Sequence, residues 1–493
     1  MNYKKMKFFF ICISLAITFF QLPINLNGQQ NIRLASGLQS SMVIQQGKPF
    51  RVWGKTLPNN IINVQCSWIS KKFSTSADEE GKFLLEIPVS FVKNGNFTKH
   101  HLTVFDKETH IDLINLLIGE VWFCSGQSNM EMSMQPAPPW HKGVVDFEKE
   151  IAAANMPNLR LYKIAKQTSI NQLDTCVGKW ESCTPESVAL FSGVAYYFGR
   201  KLLQELNIPI GLVESAIGSA SCQSFINREV LFSDTVLRKT YVEPYDKNPT
   251  EKIAVLCPSL VYNAMIHALM PFSIKGILWY QGESNAGEYI KYPRLFSALI
   301  NSWRKEFNQG LIPFYFVQMT PYNWKKNDSI AFNYALFRAA QTDVLKMPNT
   351  AMVSTMDIGE PDNIHPRQKK VVGERLAIVA LNRNYKQRHL ISEGPIVRNI
   401  QFHKSTAIIH FKKATIKSGL STNDGLPPKH FYLAGEDKVF HLATASINAN
   451  RIYLISKEVK YPKAIRYAFT NYPVTNFQNN SGFSANPFRT DNW

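Results

Sequence analysis

Residues 118–130 read IGEVWFCSGQSNM, a largely apolar stretch that ends in a glycine turn and a serine. Four further apolar runs, at residues 208–215, 274–280, 313–319 and 351–356, alternate with segments of helical periodicity. Near-continuous apolar strands that alternate with helices are typical of a parallel sheet covered on both faces. The stretch and the runs that follow it therefore predict an α/β fold with a central parallel sheet.

The segments on either side of this pattern read differently. From residue 29 to residue 112, short alternating runs are separated by clusters of Gly, Pro, Asn and Asp, the signature of a small all-β domain. Alternation returns after about residue 394. We therefore expect a three-layer α/β/α catalytic domain over residues 113–393, between a β-sandwich-like domain at 29–112 and a second β domain at 394–493.

The first 28 residues have the layout of a secretory signal peptide. Lys4, Lys5 and Lys7 precede an apolar run over residues 8–20, which is too short to span a bilayer comfortably. We expect cleavage near residue 28 and a secreted protein with no membrane insertion afterwards, in the bacterial periplasm or outside the cell. The net charge of +18 comes from dispersed basic residues, so nucleic acid is not predicted as a partner.

The cysteines are scattered and form no CxxC pair, and the chain has no HExxH or GxGxxG motif. We therefore predict neither a metal site nor a cofactor. Cys176 and Cys183 bracket a short loop that a disulfide bond could close in an exported protein. Two buried free thiols fit the sequence equally well.

Ligands bind at the carboxyl ends of the strands in sheets of this kind, so the residues just after each strand are the first candidates for a site. Ser128 follows the first strand, after the turn at Gly126, at a point where a helix can begin. A helix N-terminus there would stabilise negative charge on an oxygen. Ser128 could equally be a simple helix cap, and only its partners decide between these roles.

Serine becomes a nucleophile when a base takes its proton and a third group orients that base. His365 and Asp362 lie three residues apart on one predicted loop, and Pro366 favours an extended backbone at His365. The rival base is His267, which lies in an apolar stretch and reads as a core residue. The rival orienter is Asp357, whose other role would be to bind the loop.

An ester hydrolase also needs hydrogen-bond donors for the oxyanion, each worth about 3–4 kcal/mol. Gly218, after the second strand, offers a backbone N–H group, and Gln281 or Asn285, after the third, offers a side-chain amide. Glu283 is expected to orient that loop. A glycosidase with Glu283 and Asp362 as paired carboxylates would leave Ser128 without a role.

Three separated motifs, GEVWFCSGQSNM at 119–130, WYQGESNAG at 279–287 and DNIHP at 362–366, resemble the sialate O-acetylesterase group of the SGNH (GDSL-like) hydrolases. MVIQQGKPFRVWG near the N-terminus and SGFSANPFRTDNW at the C-terminus extend the resemblance over nearly the whole mature chain. It implies the SGNH-hydrolase fold and a serine esterase, free of metal and cofactor, that removes O-acetyl groups from sugars, typically at the 9-position of sialic acid.

Carried onto this sequence, the resemblance implies Ser128 as nucleophile, His365 as base and Asp362 as orienter. It also implies that the backbone N–H groups of Ser128 and Gly218 and the side chain of Gln281 bind the oxyanion. Relatives with the same motifs act on acetylated xylan or pectin, so we expect an O-acetylated glycan as the substrate.

The sequence departs from the family after the second strand. Ile217 and Ser219 replace the Trp and the second Gly of the usual Trp-Gly-Gly-Thr turn around Gly218, which alters one wall of the pocket. Trp140, in a proline-rich segment, is either an aromatic platform for a sugar or an ordinary residue packed against the surface. A glycan-binding protein with a degenerate hydrolase site is the alternative from another functional class.

Overall fold

The computed structural model describes residues 31–249, 253–323 and 333–493. The predicted signal peptide, residues 1–28, lies outside the described residues. No helix among those described is long and apolar enough to cross a membrane.

Seven short strands precede the central sheet: β1 (Arg33–Leu34), β2 (Val43–Gln45), β3 (Phe50–Lys55), β4 (Ile61–Cys66), β5 (Ile69–Ser76), β6 (Lys82–Ile87) and β7 (His100–Phe105). The next seven strands are β8 (His110–Gly126), β9 (Met156–Ile164), β10 (Gly178–Cys183), β11 (Ile210–Ala216), β12 (Gly276–Tyr280), β13 (Phe314–Val317) and β14 (Thr350–Val353).

The helices of the described chain are α1 (Ser128–Glu131), α2 (Phe147–Ala152), α3 (Pro185–Ala189), α4 (Gly193–Leu206), α5 (Arg228–Ser233), α6 (Thr235–Leu237), α7 (Glu243–Lys247), α8 (Tyr292–Phe307), α9 (Asn333–Asp343) and α10 (Lys369–Asn384). The remaining strands are β15 (Val397–His403), β16 (Thr406–Phe411), β17 (Leu420–Thr422), β18 (Phe431–Ala434), β19 (Phe440–Leu442), β20 (Thr444–Asn448), β21 (Arg451–Ile455), β22 (Ala464–Tyr467), β23 (Phe477–Asn479) and β24 (Phe488–Arg489).

The central sheet has the strand order β10-β9-β11-β8-β12-β13-β14. All neighbours from β9 to β14 are parallel, and β10 pairs antiparallel with β9 at one edge. The five predicted strands are therefore confirmed, while the structure adds β9 and β10. Because their carboxyl ends meet at one edge of the sheet, residues that follow β8, β11 and β12 are brought together there.

Helices cover both faces of this sheet, as the α/β prediction requires. Alternate residues of β8 point to opposite sides: Trp122 packs in one core with residues of α4 and α10, and Phe123 in the other with residues of α8 and α9. Both rings are almost completely buried. The three-layer α/β/α class predicted from the sequence is confirmed.

The first β segment passes into the central sheet without a break, because β8 belongs to both. Its first half pairs antiparallel with β7, and its second half pairs parallel with β11 and β12. The predicted boundary between residues 112 and 113 thus falls inside one strand. The domain division at this point stays a prediction.

After β14 and α10 the chain forms small antiparallel sheets, with the orders β15-β16-β21-β20 and β19-β18-β22-β24 and a β17-β23 pair. Their apolar side chains form a third core, which also includes Met356 from the loop after β14. The C-terminal strands therefore pack against the loop that leads to His365.

One predicted helix is divided in two. The apolar stripe after Thr184 predicts a single helix, and Thr184 does cap α3 by accepting a hydrogen bond from the Ser187 N–H group. Ser192, however, donates its backbone N–H to Glu214 and caps α4 with its hydroxyl group. The continuous helix was wrong, because the buried Glu214 carboxylate takes an N–H group that a continuous helix would have used.

Cys176 and Cys183 are both buried free thiols, so they are not joined to each other. Cys176 contacts the hydroxyl of Ser36 at 3.3 Å, whereas Cys183 closes the end of β10. Burial raises the pKa of Cys183 to about 12, which keeps it a neutral thiol.

Candidate active site

Ser128 lies at the carboxyl edge of the central sheet, as the sequence predicts. It begins α1, and only Gln127 separates it from Gly126, where β8 ends. A side chain at Gly126 is excluded twice: its φ is 140°, and a Cβ atom would lie 2.2 Å from the carbonyl oxygen of Tyr280. The backbone N–H of Ser128 is at the first helical position, where helix N–H groups have no partner within the helix.

Gln127 joins this turn to the loop after β12. Its backbone N–H donates to the Tyr280 carbonyl at 3.0 Å, and its side-chain oxygen accepts from the N–H groups of Gly282 and Ser284. The first and second sequence motifs are thereby held together beside Ser128.

His365 lies in the loop between β14 and α10, next to the Ser128 turn. Asn129, the neighbour of Ser128, donates a hydrogen bond at 3.0 Å to the carbonyl of Ile364, the neighbour of His365. The backbone N–H of His365 donates to the side chain of Asn363. The structure therefore brings the predicted nucleophile and base into adjoining loops that are hydrogen-bonded to each other.

The imidazole of His365 is oriented by a backbone carbonyl. Its Nδ1 atom lies 2.9 Å from the carbonyl oxygen of Trp140, which can only accept, so Nδ1 carries the proton. Nε2 is left with its lone pair. Burial, with the nearby positive charge of Lys369 as the second cause, lowers the pKa of His365 to about 4. The ring is therefore neutral at physiological pH and can accept a proton.

Asp362 and Asp357 take different places from the base. Asp362 has an exposed side chain, and among the described residues no hydrogen bond joins it to His365. Asp357 forms a two-bond ion pair with Arg375, at 2.8 and 2.6 Å. The orienting role of Asp362 stays a prediction.

Two of the predicted oxyanion donors, Gly218 and Gln281, have partners within the protein. Gly218 donates its N–H to the carboxylate of Glu131 at 2.5 Å. Gln281 donates to the Ala220 carbonyl and, at 2.7 Å, to Asn285, and its oxygen accepts from Tyr292. Their part in binding an oxyanion stays a prediction.

Asn285 forms hydrogen bonds with the chain segment that follows Gly218. Its oxygen accepts from the Cys222 N–H group, and its amide donates to Gln223 and to Glu288. Cys222 and Gln223 belong to the short turn Cys222–Phe225, which follows the altered glycine turn. A supporting position for Asn285 fits these contacts.

Glu283 and Lys369 flank Asn129, and no sequence motif pointed to the lysine. The amide of Asn129 donates to Glu283 at 2.5 Å, and Lys369 donates to the Asn129 oxygen at 2.6 Å. Lys369 is completely buried, and this burial lowers its pKa to about 7. Burial also raises the pKa of Glu283. The three side chains fix the residue after Ser128 and place a partial positive charge near His365.

The backbone carbonyl of Trp140 accepts a hydrogen bond from His365, and its indole ring is exposed to solvent. Its side chain is 74% exposed, so it is not packed down against the surface. The exposed ring thus belongs to the residue whose carbonyl binds the imidazole of His365. His141, next in the chain, lies with its ring 6.5 Å from that of His365.

The rival base His267 lies away from this edge. It is partly buried in a turn after β11, where its Nδ1 atom lies 3.5 Å from the Tyr262 hydroxyl. Across residues 31–249, 253–323 and 333–493, no group of three His, Cys, Asp or Glu side chains is placed to hold a metal ion.

Comparison with known proteins gives a consistent result. A family model described as carbohydrate esterase, sialic acid-specific acetylesterase, matches residues 118–382. The mouse sialate O-acetylesterase is 28% identical over 434 residues, which cover 77% of this chain and 78% of that protein. The human sialate O-acetylesterase is 29% identical over 405 residues, covering 75% and 74%.

A solved structure is similar over almost the whole length. The crystal structure of a carbohydrate acetylesterase from Xanthomonas citri has a TM-score of 0.82 and 30% sequence identity to this chain. The match covers 94% of this chain and all of the other.

Proposed function

Because the chain belongs to the sialic acid-specific acetylesterase family of carbohydrate esterases and is therefore an ester hydrolase, we propose that it removes O-acetyl groups from sugars with Ser128 as nucleophile and His365 as base. The observation that supports this most is the hydrogen bond from Nδ1 of His365 to the Trp140 carbonyl. It leaves Nε2 as the only basic atom of a ring that lies beside the Ser128 turn.

The proposed reaction has two stages. The Ser128 oxygen attacks the acetyl carbon while its proton passes to Nε2 of His365, and the sugar oxygen then leaves with that proton. Water next attacks the acetyl-serine ester and gives a proton to His365, which passes it to the Ser128 oxygen as acetate leaves. The protein's part is to hold the imidazole neutral and oriented before each proton transfer.

The N–H groups of Ser128 and Gly218 are the proposed oxyanion donors, with Gln281 as the third. Gly218 supports this proposal by its place, since a Cβ atom built on it would lie 3.7 Å from the Ser128 Cβ atom. Gln281 is 1% exposed and bonded to its neighbours, so its amide must shift to reach an oxyanion.

For the substrate we propose an O-acetylated sialic acid, with the 9-O-acetyl group as the first candidate. The support is the family model together with the mammalian relatives, which are named for sialate O-acetyl groups. The exposed Trp140 ring would stack on the sugar beside the scissile ester. Acetylated xylan and pectin are the alternatives, because the Ile217 and Ser219 replacements alter the wall next to Gly218.

We also propose that the protein is exported, to the bacterial periplasm or the extracellular space. The lysines and the apolar run of residues 1–28 support this.

The test is acetate release from 9-O-acetylated sialic acid, acetylated xylan and acetylated pectin, measured side by side. We expect release from sialic acid and a loss of at least 1,000-fold in Ser128→Ala, in line with the cost of removing a triad nucleophile, roughly 10⁶-fold. Ser90→Ala, at an exposed serine outside the candidate site, is the control and should match the wild type.

Release from a plant glycan alone would keep the mechanism and overturn the substrate. Binding of acetylated glycan without any acetate release would favour a glycan-binding protein with a degenerate site. Full activity in Ser128→Ala would overturn the proposed nucleophile.

A further inference from the structure

The side chain of Glu131 accepts a hydrogen bond from the Gly218 N–H group, which the proposed reaction needs as an oxyanion donor. Its Oε2 atom accepts the N–H of Gly218 at 2.5 Å, and its Oε1 atom accepts from the ammonium of Lys166 at 2.6 Å. The carboxylate is 19% exposed and Lys166 is 56% exposed. One residue thus links the glycine turn after β11 to a cation at the protein surface.

The three groups around this contact are close together. A Cβ atom built on Gly218 would lie 3.2 Å from the Glu131 Oε2 atom and 3.7 Å from the Ser128 Cβ atom. Glu131 is the last residue of α1, three residues after Ser128, so its side chain lies on the same side of that short helix. An oxyanion formed at Ser128 would need a hydrogen bond from the Gly218 N–H group, which donates to Glu131 in this structure.

A carboxylate at this point opposes the reaction in two ways. It takes a donor, and loss of one oxyanion donor costs about 10²- to 10³-fold in kcat. It also places a negative charge next to the place where a second negative charge develops, in a partly buried setting where water screens little.

We infer that Glu131 is a positioning residue that closes the oxyanion site of the free enzyme and must release the Gly218 N–H before an acetyl group can be cleaved. The inference rests on the proposed function, with Ser128 as nucleophile and Gly218 as donor. Lys166 retains the carboxylate through Oε1 when Oε2 leaves Gly218. The bond to Gly218 is then exchanged for one from Gly218 to the acyl oxygen, with no net change in the number of hydrogen bonds.

The inference makes opposite predictions for the two partners. Glu131→Gln removes the charge and weakens the competing acceptor, so we expect kcat/KM to rise about 10-fold. Lys166→Met removes the cation that draws the carboxylate away, so we expect kcat/KM to fall about threefold or more. A role in folding alone would lower activity in both variants.

The experiment measures kcat/KM of both variants on 4-nitrophenyl acetate and on the preferred acetylated sugar. The rate of inactivation by diethyl 4-nitrophenyl phosphate, whose phosphoryl oxygen uses the same donors, is the second readout and should change in the same directions. Glu148→Gln, at an exposed glutamate of α2, is the matched control for loss of a carboxylate.

A rise in Glu131→Gln together with a fall in Lys166→Met supports the inference. An unchanged or lower kcat/KM in a folded Glu131→Gln protein overturns it, as does any change of both variants in the same direction. If Glu131→Gln does not fold, Lys166→Met decides alone, since its side chain is largely exposed, and unchanged kinetics there overturn the inference. Full activity in Ser128→Ala would instead mark a failure of the proposed function.

Discussion

The imidazole of His365 has two nitrogen atoms, and its surroundings determine which one carries the proton. The carbonyl of Trp140 binds Nδ1–H, so the neutral tautomer with a free Nε2 is favoured. Burial and the nearby charge of Lys369 then disfavour the imidazolium form. A base with a pKa of about 4 is a weak one, but it is in the acceptor form over the whole physiological range.

The lowered pKa of His365 predicts an unusual pH profile. Neutral imidazole is the active form, and a lowered pKa keeps the ring neutral to lower pH. We therefore expect kcat/KM to stay level from pH 8 to about pH 5 and to fall with a midpoint near pH 4. Lys369→Met should move the midpoint upward, whereas Lys370→Met, which removes an exposed neighbouring charge, should leave it in place. A wild-type midpoint at or above the ordinary histidine value of about 6.5 would contradict this assignment.

Asp362 provides a second test at the residue scale. Since the Trp140 carbonyl already binds Nδ1 and the Asp362 side chain is exposed, we expect Asp362→Asn to lower kcat less than about 10-fold. Removal of a carboxylate that truly orients a catalytic histidine costs about 10⁴-fold. A loss of that size would support the triad predicted from the sequence and would mean that Asp362 reaches His365 during the reaction.

The elements that carry the site are strands joined to loops by very tight turns. β8 is the central strand, and the turn at Gly126 passes so close to Tyr280 that no side chain fits there. This approach brings the Ser128 turn against the loop after β12, and Gln127 then bonds to that loop. The geometry of the nucleophile thus depends on a single glycine.

Gly126→Ala tests this dependence. A Cβ atom 2.2 Å from a backbone oxygen, at a φ of 140°, forces the two strands apart. We expect the free energy of unfolding to fall by about 3 kcal/mol or more and esterase activity to be lost. Gly287→Ala is the matched control, because a Cβ atom there would meet nothing within 4 Å. Equal stability of the two variants in urea titrations would refute the argument.

At the scale of the elements, the sequence predicts five strands of the central sheet and misses β9 and β10, which lie together at one side of it. The five predicted strands, β8 and β11 to β14, are largely apolar, so their pattern alone identifies them. β9 contains Arg160 and Lys163 among its apolar residues, and because of this mixture the sequence pattern does not identify it as a buried strand. The break between α3 and α4 depends on the buried Glu214. This residue lies in β11, after both helices in the chain, so no pattern within residues 185–206 reveals the break.

The candidate site divides in the same way. Ser128 and His365 lie in short motifs with chemical meaning, and the sequence identifies them as candidates. The Trp140 carbonyl is a backbone atom, which no side-chain pattern signals. The contacts of Glu131 with Gly218 and Lys166 join three distant segments, so they appear only once the chain is folded.

At the scale of the whole molecule, the C-terminal segment is hydrogen-bonded to α10 and to the loop after β14, which carries His365. Arg375 of α10 binds Asp357 in the loop after β14 and also donates to the carbonyl of Gly482 near the C-terminus. Thr475 donates its N–H to the carbonyl of Met356 in the same loop. These contacts of the C-terminal unit therefore stabilise the loop after β14.

Arg375→Met tests that role. The ion pair is nearly buried, with the two side chains 7% and 10% exposed, so its loss leaves Asp357 unpaired in the interior. We expect the free energy of unfolding to fall by about 3–5 kcal/mol. Lys346→Met, which breaks an ion pair with 82% and 56% exposed side chains, should leave it essentially unchanged. Similar losses in both variants would contradict this account.

The central claim is that Ser128 is the nucleophile, and covalent labelling tests it most directly. The full-length protein is treated with diisopropyl fluorophosphate until acetate release stops, and the modified residue is located by peptide mass spectrometry. We predict one adduct, on the peptide that contains residues 125–130, and no adduct in Ser128→Ala. Loss of activity with the adduct on another residue, or an unlabelled protein that has lost activity, would contradict the account.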